Sequence, residues 1–116
     1  MSAIRRRASR RRTSLATTID LVLDPRRARR RGLVGYPRIP AAHAAAVVEP
    51  LAAIAALLRD PAIAVADDAC ARILLLVVSP TSALHRGPVN RARFAVLAAL
   101  DELDPVLASD QILKAS

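Results

Sequence analysis

The sequence predicts an all-α fold. The expected form is a small helical domain, a helical hairpin plus a third amphipathic helix, preceded by a flexible arginine-rich N-terminal arm. Three observations predict it. Apolar residues make up 53% of the 116, too many for a disordered chain. Only three glycines occur, too few for the many turns of an all-β sandwich. The stretches between prolines are rich in Ala and Leu, with apolar residues three and four apart.

This length allows one domain. Its charge is unevenly spread. Residues 1–39 hold twelve arginines against Asp20 and Asp24, a net of +10; residues 40–116 hold five arginines and Lys114 against eight acids, a net of −2. The expected division is therefore a basic arm and linker over 1–39 and a helical core over 40–116. Seventeen of the eighteen basic residues are arginine, a permanently charged planar fork that suits phosphate oxygens.

Met1–Arg12 places six arginines within eight positions and reads as a charge run that is mobile without a partner. Thr13–Leu23 admits two readings: Thr18–Leu23 alternates in part and is β-prone, but a short helix capped by Thr13 or Ser14, with Leu15, Ile19, Val22 and Leu23 on one side, is preferred because no partner strand lies nearby. In Asp24–Gly32, Asp24 can cap, Pro25 fits the first helical position and Gly32 can end the turn. The five arginines between them repel one another in so short a helix, and phosphates would relieve that repulsion. An irregular basic linker is the competing reading. Gly32–Pro40 is a hinge; its Tyr36 covers the core in preference to stacking on a base, because strand binders interleave several rings.

Ala41–Arg59 is helical by composition, with Pro50 either kinking it or restarting it. Leu51, Ile54, Leu57 and Leu58 form its apolar stripe. His43 has no second ligand nearby and reads as a surface histidine. Asp60–Ser79 is the segment around which the core is organised. Asp60-Pro61 predicts its start, and Ile63, Cys70, Ile73, Leu74 and Val77 fall on one face. Leu75, Leu76 and Val78 widen that surface toward a further partner. A buried strand over Ile73–Val78 is the alternative. Pro80–Pro88 is a loop. Pro88–Leu103 predicts an amphipathic helix lined by Val89, Ala92, Val96, Leu100 and Leu103, with Phe94 and Leu97 widening the stripe. Asp104–Ser116 adds a short helix through Val106, Leu107, Ile112 and Leu113.

These features predict a protein that binds nucleic acid, DNA or RNA, largely without regard to sequence. The expected phosphate contacts are Arg5, Arg6, Arg7, Arg10, Arg11, Arg12, Arg26, Arg27, Arg29, Arg30 and Arg31. Arg86, Arg91 and Arg93, beside His85, form an expected secondary phosphate contact. The core is expected to self-associate, as a homo-oligomer or with a helical protein partner. The competing class is an accessory subunit of a larger complex, whose basic N-terminus serves targeting or assembly; its Arg, Ser and Thr content also suits mitochondrial import.

No enzyme is expected. Asp67 and Asp68 diverge by about 100° on a helix, which suits neither a shared metal nor a shared proton. Ser82 and His85 lack an orienting acid, and no glycine-rich phosphate loop occurs. Cys70, the only cysteine, reads as a small buried hydrophobe and suits a reducing intracellular compartment. No metal, cofactor or transmembrane segment is expected; Ala41–Leu58 comes closest to a span but contains His43, Glu49 and Pro50.

Overall fold

The computed structural model describes residues 2–32 and 38–114, with side chains described from Arg10 onward. Among them are six helices and no strand: α1 (Ser2–Leu23), α2 (Pro25–Arg30), α3 (Ala41–Arg59), α4 (Asp67–Val78), α5 (Val89–Leu103) and α6 (Pro105–Lys114). The fold is all-α, as the composition predicts.

Four helices close a circuit. α1 packs on α3, α3 on α5, α5 on α4, and α4 back on α1. The diagonal pairs, α1 with α5 and α3 with α4, do not pack on each other. Inside the circuit, Val47, Leu51, Ile54 and Leu58 of α3 meet Leu15, Ile19 and Val22 of α1, Ile73 and Val77 of α4, and Val96 and Leu100 of α5. α6 lies against α5 and α3 through Leu107 and Ala108, and α2 lies beside α1. Leu84, in the loop after α4, is fully buried and closes the core.

This circuit differs from the expected hairpin. Segments 41–59 and 60–79 lie across the core from each other instead of side by side. The physical reason lies in α1: its stripe at positions 15, 16, 19 and 22 is apolar at helical spacing and occupies one flank of α3. These residues fall on the arm side of the expected division, yet they share the core. The flexible arm expected over the first twelve residues falls mainly on side chains outside those described, Arg5, Arg6 and Arg7 among them.

Several local readings are corrected. Helix α4 begins at Asp67, not Asp60. The Asp60 carboxylate accepts the N–H of Ala62 at 2.9 Å, a local turn that diverts the chain, and Ala-Ile-Ala-Val follows without helix. Asp67 and Asp68 then stand in the first turn of α4, where the helix dipole favours acids. Pro50 neither stops nor restarts α3; the helix continues through it and the ring is buried. Leu74 is partly exposed and Phe94 is 67% exposed, so neither belongs to the core stripe assigned to it. The segment Ile73–Val78 is helix, which is the preferred reading, and its alternative of a buried strand falls. The linker expected at Gly32–Pro40, with Tyr36, lies largely outside the described residues.

Other elements match their chemistry. Asp24 accepts the Arg27 N–H at 3.2 Å and caps α2, Pro25 occupies its first turn, and Gly32 ends it with φ +73°. Helix α3 is the one helix among those described that is long and apolar enough to cross a membrane; its apolar face lines the core here. That is consistent with the expected lack of a transmembrane segment.

If α1 is a structural member of the circuit, Ile19→Ala destabilises the protein by about 2–5 kcal/mol, as large-to-small core changes do. Leu75→Ala, at a site 63% exposed, changes stability by about 0.5 kcal/mol or less. Urea unfolding of the two variants checks both; equal midpoints would remove α1 from the core.

Candidate nucleic-acid interface

The arginines expected to contact phosphate fall into distinct environments. Those of α2 are held together by a six-residue helix whose only buried side chain is Ala28. With Ala28 turned inward, Arg26, Arg27, Arg29 and Arg30 are left exposed, and Arg31 follows at the C-cap, also exposed. Arg26, Arg29 and Arg30, spaced i, i+3 and i+4, surround a shallow hollow of about 410 Å³. Among the described residues none of the five makes an ion pair. Asp24, the nearest acid in sequence, is engaged as the cap of the same helix. The result is a cluster of like charge without an internal counterion.

The three described arginines at the start of α1 diverge. Arg10 is exposed and makes no ion pair among the described residues. Arg11 lies 3.8 Å from the Asp67 carboxylate, both well exposed, a pair of little energetic weight. Arg12 is already engaged. Its Nε donates to the Leu58 carbonyl at 3.2 Å, and its Nη2 to those of Leu57 at 3.1 Å and Asp60 at 2.7 Å. One guanidinium thereby caps the last turn of α3, where free carbonyls and the helix dipole favour a cation. Arg59 and Asp20 form an ion pair between the same two helices. Arg12 is thus a fastener between α1 and α3.

The expected secondary contact is also divided. Arg86 and Arg91 are exposed. Arg93 is half-buried and lines a separate hollow of about 380 Å³ with Glu49 and Lys114, where α3, α5 and α6 meet. The His85 ring nitrogens lie 2.7 Å from the Val77 carbonyl and 3.3 Å from that of Arg38, so the ring bridges backbone segments. Arg38, exposed and unpaired by any acid among the described residues, was not among the expected contacts.

His43 is buried, against the expectation of a surface residue. Its ring nitrogens lie 2.9 Å from the Leu84 carbonyl and 3.0 Å from that of Gly87. It pins the loop after α4 to the start of α3. A signal for this was present: His43 stands four before Val47, on the stripe continued by Leu51, Ile54 and Leu58. Ser82 donates to the Leu76 carbonyl at 2.6 Å, so it and His85 are occupied with separate backbone carbonyls. No group of three His, Cys, Asp or Glu side chains among the described residues could hold a metal ion.

Three further groups have shifted proton affinity. Burial pushes the Cys70 thiol above its ordinary range, opposed by the nearby Arg12 and Arg11 charges. The hydrogen bond and charge of Arg72 hold the Asp68 carboxyl below the usual carboxylate range. Arg72 donates to Asp68 at 3.2 Å and to Glu102 at 2.8 Å, joining α4 to α5, and its own proton is held more tightly for it.

Arg12→Ala costs about 1–3 kcal/mol in thermal or urea unfolding, by orphaning carbonyls at the end of α3, whereas Arg30→Ala stays within about 0.5 kcal/mol. A depressed folded value for Asp68 stabilises the fold above the ordinary carboxylate pKa of about 3.9, and this contribution fades as pH falls through the lower folded value. Asp68→Asn therefore shows a slightly shallower loss of stability on the acid side than the parent. A pH series of urea midpoints reads this, and superimposable slopes would contradict it.

Compared with known protein families, with curated proteins and with solved structures, the chain shows no match.

Proposed function

We propose that this protein binds the phosphate backbone of nucleic acid through the arginines of α2 and the exposed arginines of α1, and that its helical body self-associates. The observation that carries the reading is the α2 cluster: five arginines on one short exposed segment, none paired with an acid among the described residues. Folding leaves their mutual repulsion unrelieved, and a polyanion relieves it. Arginine forks suit phosphate oxygens, and they gather here without interleaved rings, so the contact is to the backbone and largely blind to sequence. Arg10 extends the set, and Arg5, Arg6 and Arg7 precede it in the chain. Arg12 is better assigned to structure. No reaction is proposed.

The competing reading, in which a basic N-terminal segment is a removable targeting sequence, is disfavoured by one feature. Loss of about the first thirty residues would strip Leu15, Ala16, Ile19 and Val22 from the core. A removable segment has no reason to supply a quarter of a core.

Binding is expected to weaken steeply with salt. If about five arginines meet phosphates, the log–log slope lies near −4 to −5 on duplex DNA. Arg26, Arg29 and Arg30 changed together to Ala lower its magnitude by roughly 3, while Arg12→Lys leaves it nearly unchanged. Fluorescence anisotropy with duplex DNA and with single-stranded RNA measures this. No binding to either at low salt would overturn the proposal; different slopes on the two would identify the preferred polymer.

A further inference from the structure

We propose that copies of this chain assemble head to tail, with α6 of one copy seated in the groove between α1 and α4 of the next. The inference deepens the self-association proposed above and does not depend on nucleic-acid binding. Both halves of the contact are present on the same chain.

The receiving half is an open groove of about 490 Å³ between α1 and α4. Its floor is apolar: Leu15 from α1, and Cys70, Ala71 and Leu74 from α4. Leu74 is 43% exposed, although it is a large aliphatic residue next to the core residue Ile73. The Thr18 hydroxyl in the wall is turned back on the Ser14 carbonyl at 2.9 Å, so it does not wet the floor. At the rim stand Arg10 and Arg11. Arg11 is weakly engaged by Asp67, and Arg10 has no acid among the described residues.

The inserting half is the outer face of α6. This helix buries only Ala108, with Leu107 half-buried beside it. Val106 and Leu113 are 74% and 71% exposed, among the most exposed large apolar residues described. They stand seven apart, two turns along one face, and Asp110 lies between them on that same face. The face thus reads apolar, acidic, apolar. Set into the groove, Val106 and Leu113 cover the floor around Leu74, and the Asp110 carboxylate meets Arg10, which has no acid beside it among the described residues. Lengths agree: ten residues of α6 span about 15 Å, and Arg10 to Thr18 along α1 about 12 Å.

The α6 face and the groove lie on different helices and are different surfaces. One copy therefore offers a free insert and a free groove after every contact, and assembly grows as a ring or a chain. Such growth would place successive α2 clusters along one polymer, which makes salt-dependent binding cooperative.

Sedimentation equilibrium of nuclease-treated protein over a concentration series tests this. The parent is expected to grow in mass with concentration. Val106→Asp with Leu113→Asp damages only the insert, and Leu74→Asp only the groove; each is expected to weaken assembly by about tenfold or more, as loss of a buried interface anchor does. Mixed together, these two variants retain one good insert and one good groove between them. They are expected to form a one-to-one dimer that grows no further. A closed two-fold contact, with each α6 in the other copy's groove, would instead hold the parent at a dimer however concentrated it is. Arg10→Glu weakens assembly and Asp110→Arg in the same chain restores it, a second arm that stands even if a leucine variant fails to fold, which circular dichroism monitors. A parent that associates while the mixture stays monomeric overturns head-to-tail docking and leaves self-association standing. A parent monomeric throughout overturns both, and neither outcome bears on nucleic-acid affinity.

Discussion

Val47, Leu51, Ile54 and Leu58 make up one stripe of α3, all almost fully buried, and no single neighbour covers them. Helix α1 lies on one flank and α5 on the other, and α4 closes the far side against both. The rest of the molecule follows from keeping that stripe dry. Among the described residues the interior is aliphatic apart from the His43 ring and Cys70, because Phe94 is exposed. Aliphatic side chains each bury about 1.5–3 kcal/mol of favourable transfer free energy, so many must converge before ordering costs are met. Four helices around one stripe satisfy that requirement better than a hairpin with a third helix laid across it.

The same constraint explains how polar groups are used. Arg12, His43, Ser82 and His85 each bond to main-chain carbonyls near helix ends or in the loop after α4. These are the places where helices leave acceptors without partners. Arg12 is the most instructive. By charge it belongs with its basic neighbours, but it lies three residues before Leu15 and so shares the buried face of α1. Docking that face carries its guanidinium to the end of α3. Charge alone did not decide its role; its phase on the helix did.

What remains after the core is built divides the surface by sign and polarity. The α2 arginines lie on a short helix beside α1, remote in sequence from the acids of α5 and α6. The floor of the groove between α1 and α4 is apolar because two core stripes diverge there, and α6 carries apolar residues outward because it docks by one narrow edge, Ala108 with Leu107 beside it. A basic cluster without counterions among the described residues, and two apolar faces proposed to meet, suit the proposal of a protein that gathers on a polyanion.

From the residues alone came the helical class, the apolar stripes of α1, α3 and α5, the cap and stop of α2, and the burial of Cys70. Each is local: periodicity, propensity and capping act within about two turns. The residues alone also carried the charge asymmetry. Tertiary structure decided what local rules leave open. The order of packing around α3, the start of α4 at Asp67 after the Asp60 turn, the burial of His43 between two carbonyls and the withdrawal of Arg12 from the basic set each depend on a partner thirty or more residues away or on a choice between two locally adequate conformations. Periodicity marks which face of a helix is apolar; only the competition among several such faces for one interior determines which of them meet, and which side chains at their margins are left free.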